Sequence, residues 1–102
     1  MYDMKNLAKL KSLEAHAPEA TKAFWAFDKA AWADGAVPKK YKELMAIAVA
    51  LTIQCPYCIE LHVGRARESG ASEPEIAETV LAAAALRAGG AVTHGTHAMK
   101  SL

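Results

Sequence analysis

The sequence predicts an all-α domain, on three observations. Apolar residues recur at helical spacing along most of the chain. No segment shows the period of two that a half-buried strand requires. Prolines, glycines and capping residues divide the chain into about six helix-sized segments, with no low-complexity stretch, internal repeat or linker between them.

Asp3 can cap a first helix through about His16, with Leu7, Leu10 and Leu13 at i, i+3 and i+6. Pro18 suits the first turn of a second helix, which carries Phe24, Trp25 and Phe27 and stops at "ADG", with Gly35 as its C-terminal cap. A third helix begins near Pro38. The charges of "KKYKE" read as a solvated face, and from Leu44 to Ile53 the helix is apolar on nearly every side, which places it at the centre of a protein or oligomer. The fourth opens around Pro56 and closes at Gly70. The fifth starts on a capping box, Ser72 with Glu75 three residues on, and runs to Gly89-Gly90. The segment "AVTHGTHAMKSL" supplies a short sixth helix.

Length suits one domain covering residues 1–102, near the lower end of what a single core stabilises. Hydrophobic residues make up 53% but aromatics only 7%, and much of the apolar content is alanine. Such a core fills little volume per residue, so completion by self-association is expected. Phe24, Trp25, Phe27 and Trp32 read as core or oligomer contacts.

Twelve basic and eleven acidic residues are spread along the chain for a net charge of +1. There is no basic stripe for nucleic acid and no charge block for a disordered tail. "MYDMKNLAKLKS" has charges where a signal peptide would be apolar, and the ten-residue run from Leu44 to Ile53 is too short to cross a bilayer. The expectation is a cytoplasmic protein with neither nucleic acid nor membrane as partner. In a reducing compartment, a close cysteine pair favours metal binding or redox chemistry over a structural staple.

That pair lies in "IQCPYCIELHVG". Pro56 is tolerated only in a first turn, which places Cys55 at the helix boundary and Cys58 just inside it. Cys55, Cys58 and His62 stand at i, i+3 and i+7 and share one face, with Cys58 and His62 roughly 5–6 Å apart at Cβ. Unpaired amides at a helix start favour a thiolate, and the histidine supplies a base beside Cys58. Glu43 is the last ionisable group before the apolar run. If the third and fourth helices form a hairpin pivoting near Ile53-Gln54, Glu43 falls within a turn of His62 and can orient it. The order Glu43–His62–Cys58 would then be a proton relay.

Haem attachment requires histidine directly after the second cysteine, and residue 59 is isoleucine. Zinc has three ligands in Cys55, Cys58 and His62, with Glu43 or water as a fourth, although no second ligand pair is present. An inert, buried cysteine pair is the remaining alternative.

Glu43, twelve residues, Cys55, two residues, Cys58, three residues, His62 resembles the signature of the AhpD-like alkylhydroperoxidase group of the carboxymuconolactone decarboxylase superfamily. The likeness covers roughly Tyr41 to His97. It implies an all-helical, AhpD-like fold in which Cys58 attacks a hydroperoxide and passes through a sulfenic acid. Cys55 would resolve that acid as a disulfide, while His62 and Glu43 move protons. It further implies an external thiol or dithiol reductant, no metal or organic cofactor, and a homo-oligomer, trimer or hexamer, with sites near subunit contacts. Decarboxylases of the superfamily generally lack the cysteine pair. The characterised peroxidases carry histidine immediately before the second cysteine, where this chain has Tyr57. Tyr57 and His94 are accessory candidates, Tyr57 beside the thiols and His94, paired with His97, at the site's mouth.

Overall fold

Gln54 makes the turn on which the fold is built. It ends one helix in the left-handed region, φ 56°, and it is the only non-glycine residue with positive φ. Its own N–H and that of Cys55 both end on the carbonyl of Ala50, which closes the helix as the pivot expected near Ile53-Gln54.

In the computed structural model, which describes residues 1–102, no strand is present. A 3-10 segment, Met4–Lys9, leads into α1 (Leu10–His16), α2 (Pro18–Trp32), α3 (Lys39–Ile53), α4 (Pro56–Glu68) and α5 (Glu73–Lys100). α4 and α5 pack on α3. The core is small: Ile47, Ala66 and Ala71 are buried, with Leu44, Leu51, Val63 and Ile76 packed around them. α1 and α2 form a second hairpin that docks through the end of α2.

Three boundaries differ from the sequence reading. The Asp3-capped segment is not one helix but a 3-10 turn followed by α1. Gly35 does not cap α2, because Gly70 is the one glycine in a left-handed conformation. Lys42 does that work, its ammonium donating to the carbonyls of Ala31 (3.0 Å) and Ala33 (2.6 Å). Nor is there a sixth helix. α5 continues through Gly89 and Gly90 to Lys100. A glycine in a helix interior costs about 1 kcal/mol relative to alanine. With no proline or capping side chain beside the pair, that cost does not break a long alanine-rich helix.

α5 begins on the predicted capping box. The Ser72 N–H donates to the Glu75 carboxylate at 2.8 Å, and the Glu75 N–H donates to the Ser72 hydroxyl at 3.2 Å. Glu75 also pairs with Lys40 of α3 at 2.9 Å. The Ser72 backbone bond, then the Lys40 bond, lower the Glu75 carboxyl from 4.5 to about 2. Its folded value lies below its unfolded one, so its contribution to stability is complete above pH 4.5 and disappears as pH falls through 2. Glu75→Gln is therefore expected to melt below the wild type at pH 7. The gap should close as the pH is taken towards 2, as followed by circular dichroism.

Candidate active site

The Gln54 turn places Cys55 as the N-cap of α4, with Pro56 in the first turn where its missing N–H is harmless. The Cys58 N–H donates to the Cys55 sulfur at 3.3 Å, and the two cysteines are joined as a disulfide with Cα atoms 5.3 Å apart.

Running α4 back along α3 brings His62 onto Glu43. The ring Nδ1 donates to one Glu43 carboxylate oxygen at 2.5 Å, which leaves Nε2 as the free nitrogen. Glu43 is fully buried and the His62 side chain is 12% exposed. A buried carboxylate is tolerated only when its oxygens are satisfied. The second oxygen accepts from the half-exposed ammonium of Lys39, one turn earlier, at 3.3 Å. The indole of Trp32 lies against the His62 ring, centroids 4.8 Å apart, and its N–H donates to Asp28 at 3.0 Å. His62 is therefore held by a carboxylate at one nitrogen and by an aromatic wall on its face.

Beside this pair opens a cleft of about 360 Å³. Trp32, Met45, Val49 and Ile53 form its apolar walls, and Cys58 and His62 are its chemically active lining. Cys55 does not line it. The structure thus brings together Cys55, Cys58, His62 and Glu43.

The accessory candidates lie elsewhere. The Tyr57 hydroxyl accepts from the Asn6 side chain at 2.9 Å, and its ring packs edge-on against Tyr2 at 4.8 Å. Tyr2 in turn donates to Glu60, and that bond, with desolvation second, pushes the phenol up to about 12. Tyr57 is thereby tied to the N-terminal segment. His94 and His97 stand exposed on α5, rings 5.5 Å apart, and neither lines the cleft. Two residues of the site were not singled out from sequence. Trp32 read as core or oligomer contact, and nothing in one dimension pairs it with His62. Lys39 read as part of a solvated face, although its i, i+4 spacing to Glu43 was a usable signal.

The fold and the site define an all-helical protein in which a cysteine pair opens a helix beside a buried carboxylate–imidazole pair. The chain belongs to the carboxymuconolactone decarboxylase family, whose model matches residues 18–101. It is 48% identical over 80 residues to an uncharacterised protein of the cox locus of Paracoccus denitrificans, covering 78% of this chain and 72% of that one. An uncharacterised protein of Cupriavidus necator is 36% identical over 63 residues, 62% of this chain, and the chain spans only 56% of that relative's length. Among solved structures, the apo form of a carboxymuconolactone decarboxylase family protein from Legionella pneumophila superposes with a TM-score of 0.73 at 35% identity, covering 78% of this chain and 71% of that one. A protein from Methanobacterium thermoautotrophicum gives 0.76 at 30%, covering 81% and 93%.

Proposed function

We propose that the protein is a thiol oxidoreductase of the AhpD-like type, reducing organic hydroperoxides through a Cys58–Cys55 disulfide cycle and working as a homo-oligomer. The observation that carries this reading is the buried Glu43–His62 pair one turn from Cys58, at an apolar cleft that Cys58 itself lines.

In the reduced protein, Nε2 of His62 accepts the Cys58 thiol proton, and Glu43 steadies the imidazolium that forms. The thiolate attacks one peroxide oxygen and the O–O bond breaks. The alcohol leaves with the proton from His62, and Cys58 becomes a sulfenic acid. The Cys55 thiol then attacks that sulfur, forming the disulfide and releasing water. An external thiol or dithiol supplies two electrons and two protons to restore both thiols. The apolar walls favour a hydroperoxide with a hydrocarbon body.

The test uses reduced wild-type protein and a slight excess of tert-butyl hydroperoxide, followed by intact mass. The expected result is loss of two hydrogens per chain, far faster than oxidation of free cysteine. Consumption at the free-cysteine rate would sink the reading. Retention of zinc in native mass spectra would favour a metal site. Faster oxidation by a small disulfide than by the hydroperoxide would make the protein a general disulfide exchanger.

A further inference from the structure

We infer that Lys39 is a positioning residue of this site: acting through Glu43, it sets the charge of the Glu43–His62–Cys58 cluster so that the thiolate forms near neutral pH. The inference takes Cys58 as the working thiol from the proposed function.

Three lysines open α3, and each is committed to a different task. Lys40 reaches across to Glu75 of α5, and Lys42 closes α2 by binding its last carbonyls. Lys39 turns to Glu43. Its backbone is fixed by Asp34, whose carboxylate accepts the Lys39 N–H at 2.6 Å and so caps a helix whose boundary residue, Pro38, offers no side-chain acceptor. The side chain is then one turn from a carboxylate that no solvent reaches, and it takes the oxygen that His62 leaves free.

The consequence follows from charge. A buried carboxylate with its full charge uncompensated adds negative potential to a site that must itself form a thiolate. With an ammonium on the opposite oxygen, the carboxylate still orients the ring through Nδ1, but its charge is offset. His62 meets Glu43, backed by Lys39, from α3, and shares the cleft lining with Cys58 of its own helix. From α2 it meets the uncharged indole of Trp32, whose N–H occupies Asp28. Lys39 is therefore the cation that balances Glu43. Removing it leaves the cluster one charge more negative, which opposes formation of a further negative charge on Cys58.

The experiment measures iodoacetamide alkylation of Cys58 in the reduced full chain from pH 5 to 9, by fragment-ion masses that separate label on Cys58 from label on Cys55, since both lie on one tryptic peptide. No hydroperoxide is involved, so a failed peroxidase assay leaves this result intact. Lys39→Met and Lys39→Gln are expected to move the rising limb upward by about one pH unit, a rate loss of roughly tenfold on that limb. Lys39→Arg should restore the wild-type profile. A merely structural loss would loosen the site and raise alkylation at every pH without moving the limb. Limbs that superpose for wild type, Met and Gln variants overturn the inference, as does an Arg variant that behaves like Met.

Discussion

Cys58→Ser is expected to abolish hydroperoxide reduction, to below roughly a thousandth of the wild-type rate on the scale of general-base catalysis. Cys55→Ser is expected to consume one equivalent and stop, with oxygen retained on Cys58 as a sulfenic acid. The two cysteines compete on physical grounds, because each has a stabilising neighbour. Cys55 sits at the helix boundary, where the Cys58 N–H points at its sulfur from 3.3 Å and favours a thiolate there. Such a helix-terminal effect is worth about 0.3–1 kcal/mol, or a few-fold. A base aligned to take the proton contributes about 10²–10⁴. His62 stands four residues beyond Cys58, and the apolar cleft is lined by Cys58 and not by Cys55. The larger effect favours Cys58, which is the expected attacking thiol. Intact mass after one equivalent of peroxide decides the matter: a sulfenic acid trapped in Cys58→Ser and absent from Cys55→Ser would reverse the roles.

The site was legible where one helix carries the information. Pro56 sets the phase of α4, and phase alone puts Cys55, Cys58 and His62 on one face. Glu43 was legible because an ionisable residue at the edge of a long apolar run has few reasons to be there. Its contact with His62 depended on a hairpin, and the hairpin turns on a left-handed glutamine. Glycine or asparagine would have announced that conformation; glutamine does not. Lys39 was harder to single out: its i, i+4 spacing to Glu43 was a signal, but three lysines in five residues look alike in sequence, and the packing of α2 and α5 gives the other two their separate partners.

The helix ends were misread where a glycine was taken as sufficient. Gly35 and the Gly89-Gly90 pair permit a stop without compelling one. What ends α2 is an ammonium arriving from α3; no such group reaches the Gly89-Gly90 pair, and α5 runs on to Lys100. The apolar girth of α3 was also only half explained by the single chain. Glu43, Ala46, Ile47 and Ala50 are buried, whereas Met45, Val49 and Ile53 remain exposed. Phe24, Phe27 and most of α5 are likewise uncovered.

That uncovered surface leads to the second large expectation: the protein runs as a homo-oligomer, and Leu86→Glu combined with Val92→Glu breaks it into single chains. Only 7 residues are buried and the radius of gyration is 17.2 Å, against about 13 Å for a compact chain of this length. The accessible surface is 7720 Å², where a compact monomer of this mass exposes about 5,600 Å². The excess, about 2,000 Å², is the size of an obligate interface. Leu86 and Val92 are each 76% exposed on α5, and a glutamate sealed into an interface there would cost several kcal/mol per copy. Size exclusion with light scattering should give the wild type as a trimer or hexamer of the 10.9 kDa chain. The double variant should run at the mass of one chain, its melting lowered by roughly 10–20 °C. A monodisperse wild-type monomer would sink the assembly. So would wild type that stays in the membrane fraction and needs detergent, because α5 is also long and apolar enough to cross a bilayer. Arg87 weighs against that second outcome. It lies near the middle of Glu73–Lys100, where a bilayer would charge about 2.5–3.5 kcal/mol for it, and it donates to the Thr52 carbonyl at the end of α3. Alanine, which dominates the helix, contributes little to a lipid-facing surface but lets neighbouring helices approach closely. A second copy of the chain therefore suits the uncovered face better than lipid does.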